Sequence, residues 1–128
     1  MTAAAKQPAF FPGRAAIDSY GNGGFRFADM SHRGALLCLP SGIHGWDAIT
    51  IKDLTLEQLA PVLDKSSEIS LLLLGTGKQQ VFPDARILEA LSDAEIGIEV
   101  MNTGAAARTY NVLLAEGRRV AAALLAVD

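Results

Sequence analysis

One apolar stretch constrains the fold of this chain more than any other feature. Residues 69–74 read ISLLLL, and Gly75, Thr76 and Gly77 follow at once. A short apolar run that ends at glycines is typical of a β-strand buried on both faces, with a tight turn at its carboxyl end. Such a strand needs a covering layer on each face, so we predict that the rest of the domain packs around it.

The first part of the chain predicts strands. Asn22-Gly23 is a favoured pair for a tight turn, so residues 17–20 and 24–27 are expected to form a hairpin. Residues 35–39 predict a third strand, which ends at Pro40. Residues 42–46 fit either a fourth short strand or a loop.

The second part alternates between helix and strand patterns. Thr55 and Gln58 have the spacing of a capping box, whereas Pro61 predicts that the helix they begin is short, kinked or split. The stripe expected to be buried in this helix is Leu56, Leu59, Ala60 and Leu63. Later helices are predicted from Pro83-Asp84 onward and at 105–116, with Gly117 as a C-cap, and strands at 96–101 and 119–127.

This order predicts an α/β domain with a mixed central sheet. Helices that alternate with strands imply βαβ crossovers and a parallel core, while the early hairpin adds an antiparallel part. The direction of the last strand stays open, as does a homo-oligomer in which that strand pairs across a dimer. We expect a loose tail over residues 1–15, with Phe10 and Phe11 tucked onto the domain, and one domain over residues 16–128.

Composition narrows the functional classes. The chain has 128 residues, half of them apolar, and a formal net charge of −3, which disfavours nucleic acid as a partner. Its single cysteine excludes an intrachain disulfide and fits a reducing compartment. The first residues resemble neither a secretory nor an organelle signal, and the longest apolar run, at 120–127, is far short of a membrane helix. We therefore expect a soluble cytoplasmic protein.

Two predicted strand ends form one candidate crevice. In open α/β sheets, ligands bind beyond the carboxyl ends of parallel strands, and a helix amino terminus beside glycine-rich turns favours an anion. Arg108 lies early in the third helix, where a cation opposes the helix dipole and invites a bound anion or a carboxylate. The candidate ligand-binding or anion-binding residues are Gly75, Thr76, Gly77, Lys78, Asn102, Thr103 and Arg108.

A structural explanation of the same residues stands beside the functional one, and we prefer it because short motifs often arise by chance. The glycines would only form turns, Thr103 would be an N-cap, and Arg108 would pair with Glu99 or Asp84. The specific nucleotide motifs are also incomplete. A P-loop needs a hydroxyl residue where Gln79 stands, and a dinucleotide fingerprint needs glycine where Gln80 stands.

No catalytic or metal-binding constellation stands out. His44, Asp47 and Cys38 match no metal-ligand spacing, and Ser41, His44 and Asp47 are crowded into one loop, unlike the partners of a triad. We therefore expect no metal and no cofactor, and the sequence favours a non-enzyme while leaving catalysis open.

Trp46 has two explanations. If exposed beside Ile43, it would serve as an interaction anchor for a protein partner; otherwise it would fill the edge of the core.

The motifs LLLLGTG, Pro83 and GIEVMNTGAAARTYNVLLAEGRRVAAALLAV, with Trp46 after the early strands, resemble a family of small uncharacterised domains. That family includes the mitochondrial complex I assembly factor 3 group. The resemblance implies a three-layer α/β/α-like fold and provides no catalytic residues. Its mitochondrial members bind partners during respiratory complex I assembly. Because this chain shows no organelle presequence, it is similar to the bacterial stand-alone form.

Two hypotheses follow. The first is a non-catalytic interaction module that assists assembly of a respiratory NADH:quinone oxidoreductase or a similar complex. The second is a small-molecule or anion-binding domain, with or without catalysis, that uses the crevice at Gly75–Gly77 and Asn102–Gly104. The resemblance ranks the first above the second.

Overall fold

The computed structural model describes residues 11–128, which fold into two sheets and three α-helices. Five strands form a mixed sheet in the order β5-β4-β8-β6-β7, and three more form an antiparallel sheet in the order β1-β2-β3. The strands are β1 (Ser19–Gly21), β2 (Gly24–Phe27), β3 (Met30–Arg33), β4 (Ala35–Leu39), β5 (Gly42–Trp46), β6 (Leu71–Gly75), β7 (Gly97–Met101) and β8 (Val120–Leu124); the helices are α1 (Ala60–Leu63), α2 (Ala85–Asp93) and α3 (Thr103–Ala115).

Strand β6 is the buried strand that the apolar run predicts. It pairs in parallel with β7 on one side and with β8 on the other. Leu72 and Leu74 belong to the core under α1 and α2, whereas Leu73 belongs to the core under α3. The strand is therefore covered on both faces, and the expected three-layer α/β fold is confirmed.

The hairpin at Asn22-Gly23 is confirmed, and it continues into a strand that the sequence did not predict. Asn22 and Gly23 have φ values of 53° and 79°, as a tight hairpin turn requires. The second turn, between β2 and β3, places Ala28 and Asp29 at φ 48° and 62°. Alanine is unusual at positive φ, so no turn signal in the sequence indicated β3. Ala35–Leu39 is therefore the fourth strand rather than the third.

Strand β8 joins the antiparallel and parallel parts of the sheet. It runs parallel to β6 and antiparallel to β4, which settles the direction that the sequence left open. Both edges of β8 are paired within the chain, so the pairing across a dimer that the sequence left open does not occur through this strand. Its three alanines, 121–123, are fully buried. Ala122 faces α3, and its small size lets that helix lie close above the sheet, whereas Ala121 and Ala123 face the core under α1 and α2.

The helical segment after Thr55 is split, as Pro61 predicts. The capping box is present: the Thr55 N–H donates to Gln58 Oε1 at 3.0 Å, and the Gln58 N–H donates to Thr55 Oγ1 at 3.2 Å. A 3₁₀ turn at Glu57–Leu59 precedes α1, so the buried positions shift. Leu59 and Val62 are buried, whereas Leu56, expected in the stripe, is 43% exposed.

The caps of the later helices follow local chemistry. The Asp84 side chain accepts from the Arg86 N–H at the start of α2. Helix α3 ends at Ala115. Gly117, two residues later, has φ 74°, and the Arg118 N–H donates to the Leu113 carbonyl at 3.0 Å in a Schellman arrangement.

The amino-terminal segment is described only from Phe11 onward. Phe11 forms a backbone bridge with Ile43 of β5 and packs on the core under α3. Phe10 lies outside the described residues, so the tail over 1–15 and the domain boundary at residue 16 stay predictions. No helix in the described part of the chain is long and apolar enough to cross a membrane.

Candidate functional site

The two predicted strand ends do meet at one edge of the sheet. Just after β6, the Thr76 N–H donates at 2.9 Å to the carbonyl of Met101, the last residue of β7. Beyond both strands, the Thr103 N–H donates to the Gly77 carbonyl at 2.8 Å. The backbone ladder thus continues past both strands. We call residues 75–81 and 102–104 together the strand-end turns.

Thr103 holds three segments together at this point. Its side chain is fully buried at the first position of α3. Its hydroxyl accepts from the Gly77 N–H at 2.9 Å and donates to the Leu125 carbonyl at 2.8 Å, just after β8. A single hydroxyl therefore connects the ends of β6, β8 and α3, and its hydrogen-bonding capacity is used within the protein.

Thr76 closes the loop that follows β6. Its hydroxyl accepts from the Val81 N–H at 3.0 Å and lies within hydrogen-bonding distance of the Gln79 and Met101 carbonyls. Among the described residues, no buried side-chain nitrogen or oxygen lacks a partner. Neither threonine directs an unused hydroxyl into a crevice.

Gly75 allows the close approach between β6 and α3. A Cβ at this position would lie 3.0 Å from the Cα of Thr103 and 2.9 Å from Cδ2 of Leu124. The glycine is thus explained by backbone packing, without a ligand.

The cations of the candidate site are exposed. Arg108 and Lys78 both lie at the surface, and neither takes part in an ion pair within residues 11–128. The pairing of Arg108 with Glu99 or Asp84 is not formed: Asp84 lies against Arg86 at 3.6 Å, and Glu99 makes no ion pair among the described residues. The hydrogen bond from the Arg86 N–H lowers the pKa of the Asp84 carboxyl, and the contact with the Arg86 side chain acts in the same direction.

The cap of α3 also differs from the structural explanation given above. Asn102, rather than Thr103, is the N-cap residue, and its side-chain oxygen accepts from the Ala105 N–H at 2.8 Å.

Two surface depressions, of about 330 and 400 Å³, lie away from the strand-end turns, beside β1–β3 and beside Ser66–Ser70. Anion binding by the seven candidate residues stays a prediction.

Trp46 and Ile43 are both core residues. Trp46 is 8% exposed and its indole N–H donates to the Gln58 carbonyl at 2.8 Å, which ties β5 to the 3₁₀ turn. Ile43 is 1% exposed on the opposite side of the sheet. The exposure that an interaction role requires is not found at either residue.

The residues near His44 do not assemble into a triad. Ser41 Oγ lies 3.3 Å from His44 Nε2, but Asp47 accepts from Gln58 Nε2 at 3.3 Å and does not orient the imidazole. Partial burial lowers the pKa of His44. Cys38 is fully buried in the sheet, and burial raises the pKa of its thiol to about 12, so the thiol stays protonated near neutral pH.

One surface feature was missed by sequence reasoning. Strand β7 pairs only with β6, so one of its edges has no partner strand in residues 11–128. Helix α3 packs on this sheet, and its Val112 side chain is 57% exposed. Strand order depends on tertiary pairing, so no local signal could have identified this edge.

These features define a small mixed α/β domain whose polar strand-end residues form internal hydrogen bonds and whose sheet has one open edge. The chain belongs to the family described as protein of unknown function (DUF498/DUF598), which it matches over residues 17–125. The family resemblance stated above is thereby confirmed.

Individual relatives agree with this assignment. An uncharacterised protein of Rhodobacter capsulatus is 38% identical over 115 residues, covering 90% of this chain and 87% of that protein. The NADH dehydrogenase [ubiquinone] 1 alpha subcomplex assembly factor 3 of Xenopus tropicalis is 32% identical over 109 residues, covering 85% of this chain but only 60% of the factor. A crystal structure from Bartonella henselae, of a protein called an outer membrane protein, is 52% identical with a TM-score of 0.89, covering 92% of this chain and 99% of that one.

Proposed function

We propose that this domain is a non-catalytic interaction module that assists assembly of a respiratory NADH:quinone oxidoreductase. The observation that carries the proposal is similarity, at about a third identity, to assembly factors for NADH dehydrogenase over 85% of the chain. The chain spans about 60% of the length of those factors, so the shared part is the domain itself.

The geometry supports an interaction role over a catalytic one. The hydroxyl groups of Thr76 and Thr103 bond within the protein, and the buried thiol of Cys38 is held protonated. The single cysteine of the chain fits a reducing compartment, and we propose the cytoplasm as the location. The edge of β7 has no partner strand in residues 11–128, and an open strand edge is a surface to which an extended segment of another protein can add.

A deletion strain tests the proposal. In the source organism, loss of the gene should lower the amount of fully assembled NADH:quinone oxidoreductase on native gels. The rate of NADH oxidation in isolated membranes should fall as well. The other respiratory oxidases serve as internal controls. Normal assembly and normal activity in the deletion strain would refute the proposal.

Affinity purification adds a direct readout. The tagged chain, mildly crosslinked in its own cells, should recover subunits or assembly proteins of that complex. Recovery of the chain alone would favour the second hypothesis, in which the strand-end turns bind a small molecule or anion.

A further inference from the structure

The two outer strands of the five-stranded sheet differ in how the chain covers them. On β5, the Ile43 N–H donates to the Phe11 carbonyl at 2.9 Å, so the segment before β1 pairs with that edge. On β7, no segment within residues 11–128 pairs with the outer side. Unprotected strand edges are templates for pairing with another chain, and natural domains usually cover or blunt them.

The register shows which groups of β7 face inward. The Gly97 N–H donates to the Ser70 carbonyl, and the Met101 carbonyl accepts from the Thr76 N–H. Backbone groups alternate in direction along a strand, so every second residue from Gly97 to Met101 points toward β6.

Ile98 and Val100 therefore point their backbone groups away from the sheet. The Val100 carbonyl accepts from the Gln80 side chain at 2.8 Å. Three groups remain for an added strand: the N–H and carbonyl of Ile98 and the N–H of Val100. Donors and acceptors alternate along an extended segment in the way these three groups require.

Helix α3 provides one wall beside this edge. The Thr109 hydroxyl lies 3.7 Å from the Met101 sulfur, which places that flank of the helix over β7. Val112 follows one turn later on the same flank and is 57% exposed. The opposite flank is covered, because the Asn111 side chain bonds to both backbone groups of Ile17 at 2.8 Å.

The charge on β7 indicates the kind of segment that would bind. The Glu99 side chain is exposed and takes part in no ion pair or hydrogen bond in the described part of the chain. A residue directly opposite it on an added strand would lie within about 5.5 Å, Cβ to Cβ. In a second copy paired antiparallel through Ile98 and Val100, that residue would be another Glu99, and like charges directly opposite are destabilising.

We infer that the outer edge of β7 binds an extended segment of a partner protein as a sixth strand, with a lysine or arginine opposite Glu99 and apolar residues on either side of it. Those apolar side chains would lie beside Ile98 and Val100, which are half-buried against the core under α1 and α2. The inference rests on the proposed function and names its docking surface. Backbone bonds provide the affinity in this binding mode, and side chains provide the specificity.

Site-specific photocrosslinking locates the bound segment. The variant Val112→p-benzoylphenylalanine is made in the source cells, irradiated, and its adducts are mapped by mass spectrometry. Leu56, 43% exposed on a different helical segment, receives the same group as a control. The expected adduct at position 112 is a partner segment with an apolar-basic-apolar pattern, absent at position 56. Adducts at 112 that map to this same chain would overturn the inference.

Two variants then test the pairing itself, by recovery of the crosslinked partner with the tagged chain. Ile98→Pro removes an outward N–H without removing a bond to β6, and its ring obstructs an added strand, so recovery should fall at least about tenfold. Glu99→Lys reverses the charge and should lower recovery about fivefold. Thermal unfolding verifies that each variant folds. If Ile98→Pro does not fold, Glu99→Lys, an exposed substitution, tests the pairing alone.

A matched proline control lies on the other sheet. The Gly34 N–H donates to the Gly23 carbonyl, so by alternation Ser31 of β3 points its backbone groups outward. Ser31→Pro should leave recovery unchanged. If Glu99→Lys and Ile98→Pro recover the partner as well as the wild type does, the inference fails while the proposed function stands. If the wild type recovers no protein of the complex, the proposed function fails, and the inference with it.

Discussion

The strand-end turns and the outer edge of β7 are neighbours in the fold, but they use their polar groups in opposite ways. In the turns, the hydroxyl of Thr103 and the backbone of Gly77 bond to each other and to adjacent strands. Along β7, the backbone groups of Ile98 have no partner in the described structure. The glycine and threonine residues of the turns therefore form hydrogen bonds within the protein. The backbone groups that have no hydrogen-bond partner lie instead on β7, a strand without any special motif.

The largest effect that tests this contrast is expected for Thr103→Val. The substitution leaves the Gly77 N–H and the Leu125 carbonyl without their partner in a buried site, at a cost of about 2–4 kcal/mol in the free energy of unfolding. Urea denaturation followed by circular dichroism measures it. The result would show that the hydroxyl holds the turns together.

Thr109→Val is the matched control for that measurement. Thr109 lies on the same helix, is half-buried, and its hydroxyl contacts only the Met101 sulfur at 3.7 Å. We expect a loss below about 1 kcal/mol. Equal losses for the two variants would mean that the hydrogen bonds of Thr103 contribute little to stability. The strand-end turns would then not differ from β7 in the way described.

The second effect compares one substitution in each region. Gly75→Ala would place a Cβ 3.0 Å from the Cα of Thr103, so β6 or the start of α3 must shift, at a cost of about 1–3 kcal/mol. Gly97→Ala on β7 meets only ordinary contacts, the nearest being the Ser70 carbonyl oxygen at 3.4 Å, and should be nearly neutral. Thermal unfolding of both variants measures the difference. Similar losses would show that β7 is packed as tightly as the turns.

Gln80→Ala probes the point where the two regions touch. Its amide is the one side-chain group in the described structure that covers an outward carbonyl of β7. Because the bond is exposed, its loss should cost about 0.5–1 kcal/mol of stability. Recovery of a partner segment should rise, since a fourth backbone group becomes available. Gln79→Ala, whose side chain makes no hydrogen bond in the described structure, is the control, and a fall in recovery for Gln80→Ala would count against strand addition.

Local chemistry explains which parts of the fold the sequence predicted. The apolar run of β6, the Asn22-Gly23 turn and the capping box of Thr55 and Gln58 each depend on neighbouring residues, and each is present. Strand β3 was missed because the first residue of its turn is Ala28 at positive φ, where glycine or asparagine is usual.

Tertiary pairing explains what the sequence could not give. The direction of β8 is set by its two neighbours, and the openness of β7 is set by the strand order. At the candidate site, the sequence correctly brought the ends of β6 and β7 together and named Thr76 and Thr103. Their bonding partners include Leu125, 22 residues away along the chain from Thr103, which no local pattern indicates.

The smallest effect is expected for Arg108→Ala, and it decides whether the turns bind anything. Arg108 is exposed, without an ion pair in the described structure, so the free energy of unfolding should change by less than about 0.5 kcal/mol. Lys78→Ala, the other exposed cation of the turns, is the companion variant. If the polar groups of the turns serve only the fold, inorganic phosphate at millimolar concentration should shift the thermal midpoints of the wild type and both variants equally. A phosphate-dependent rise in the wild-type midpoint that Arg108→Ala abolishes would restore the turns as an anion site, because a ligand that binds only the folded state raises that midpoint.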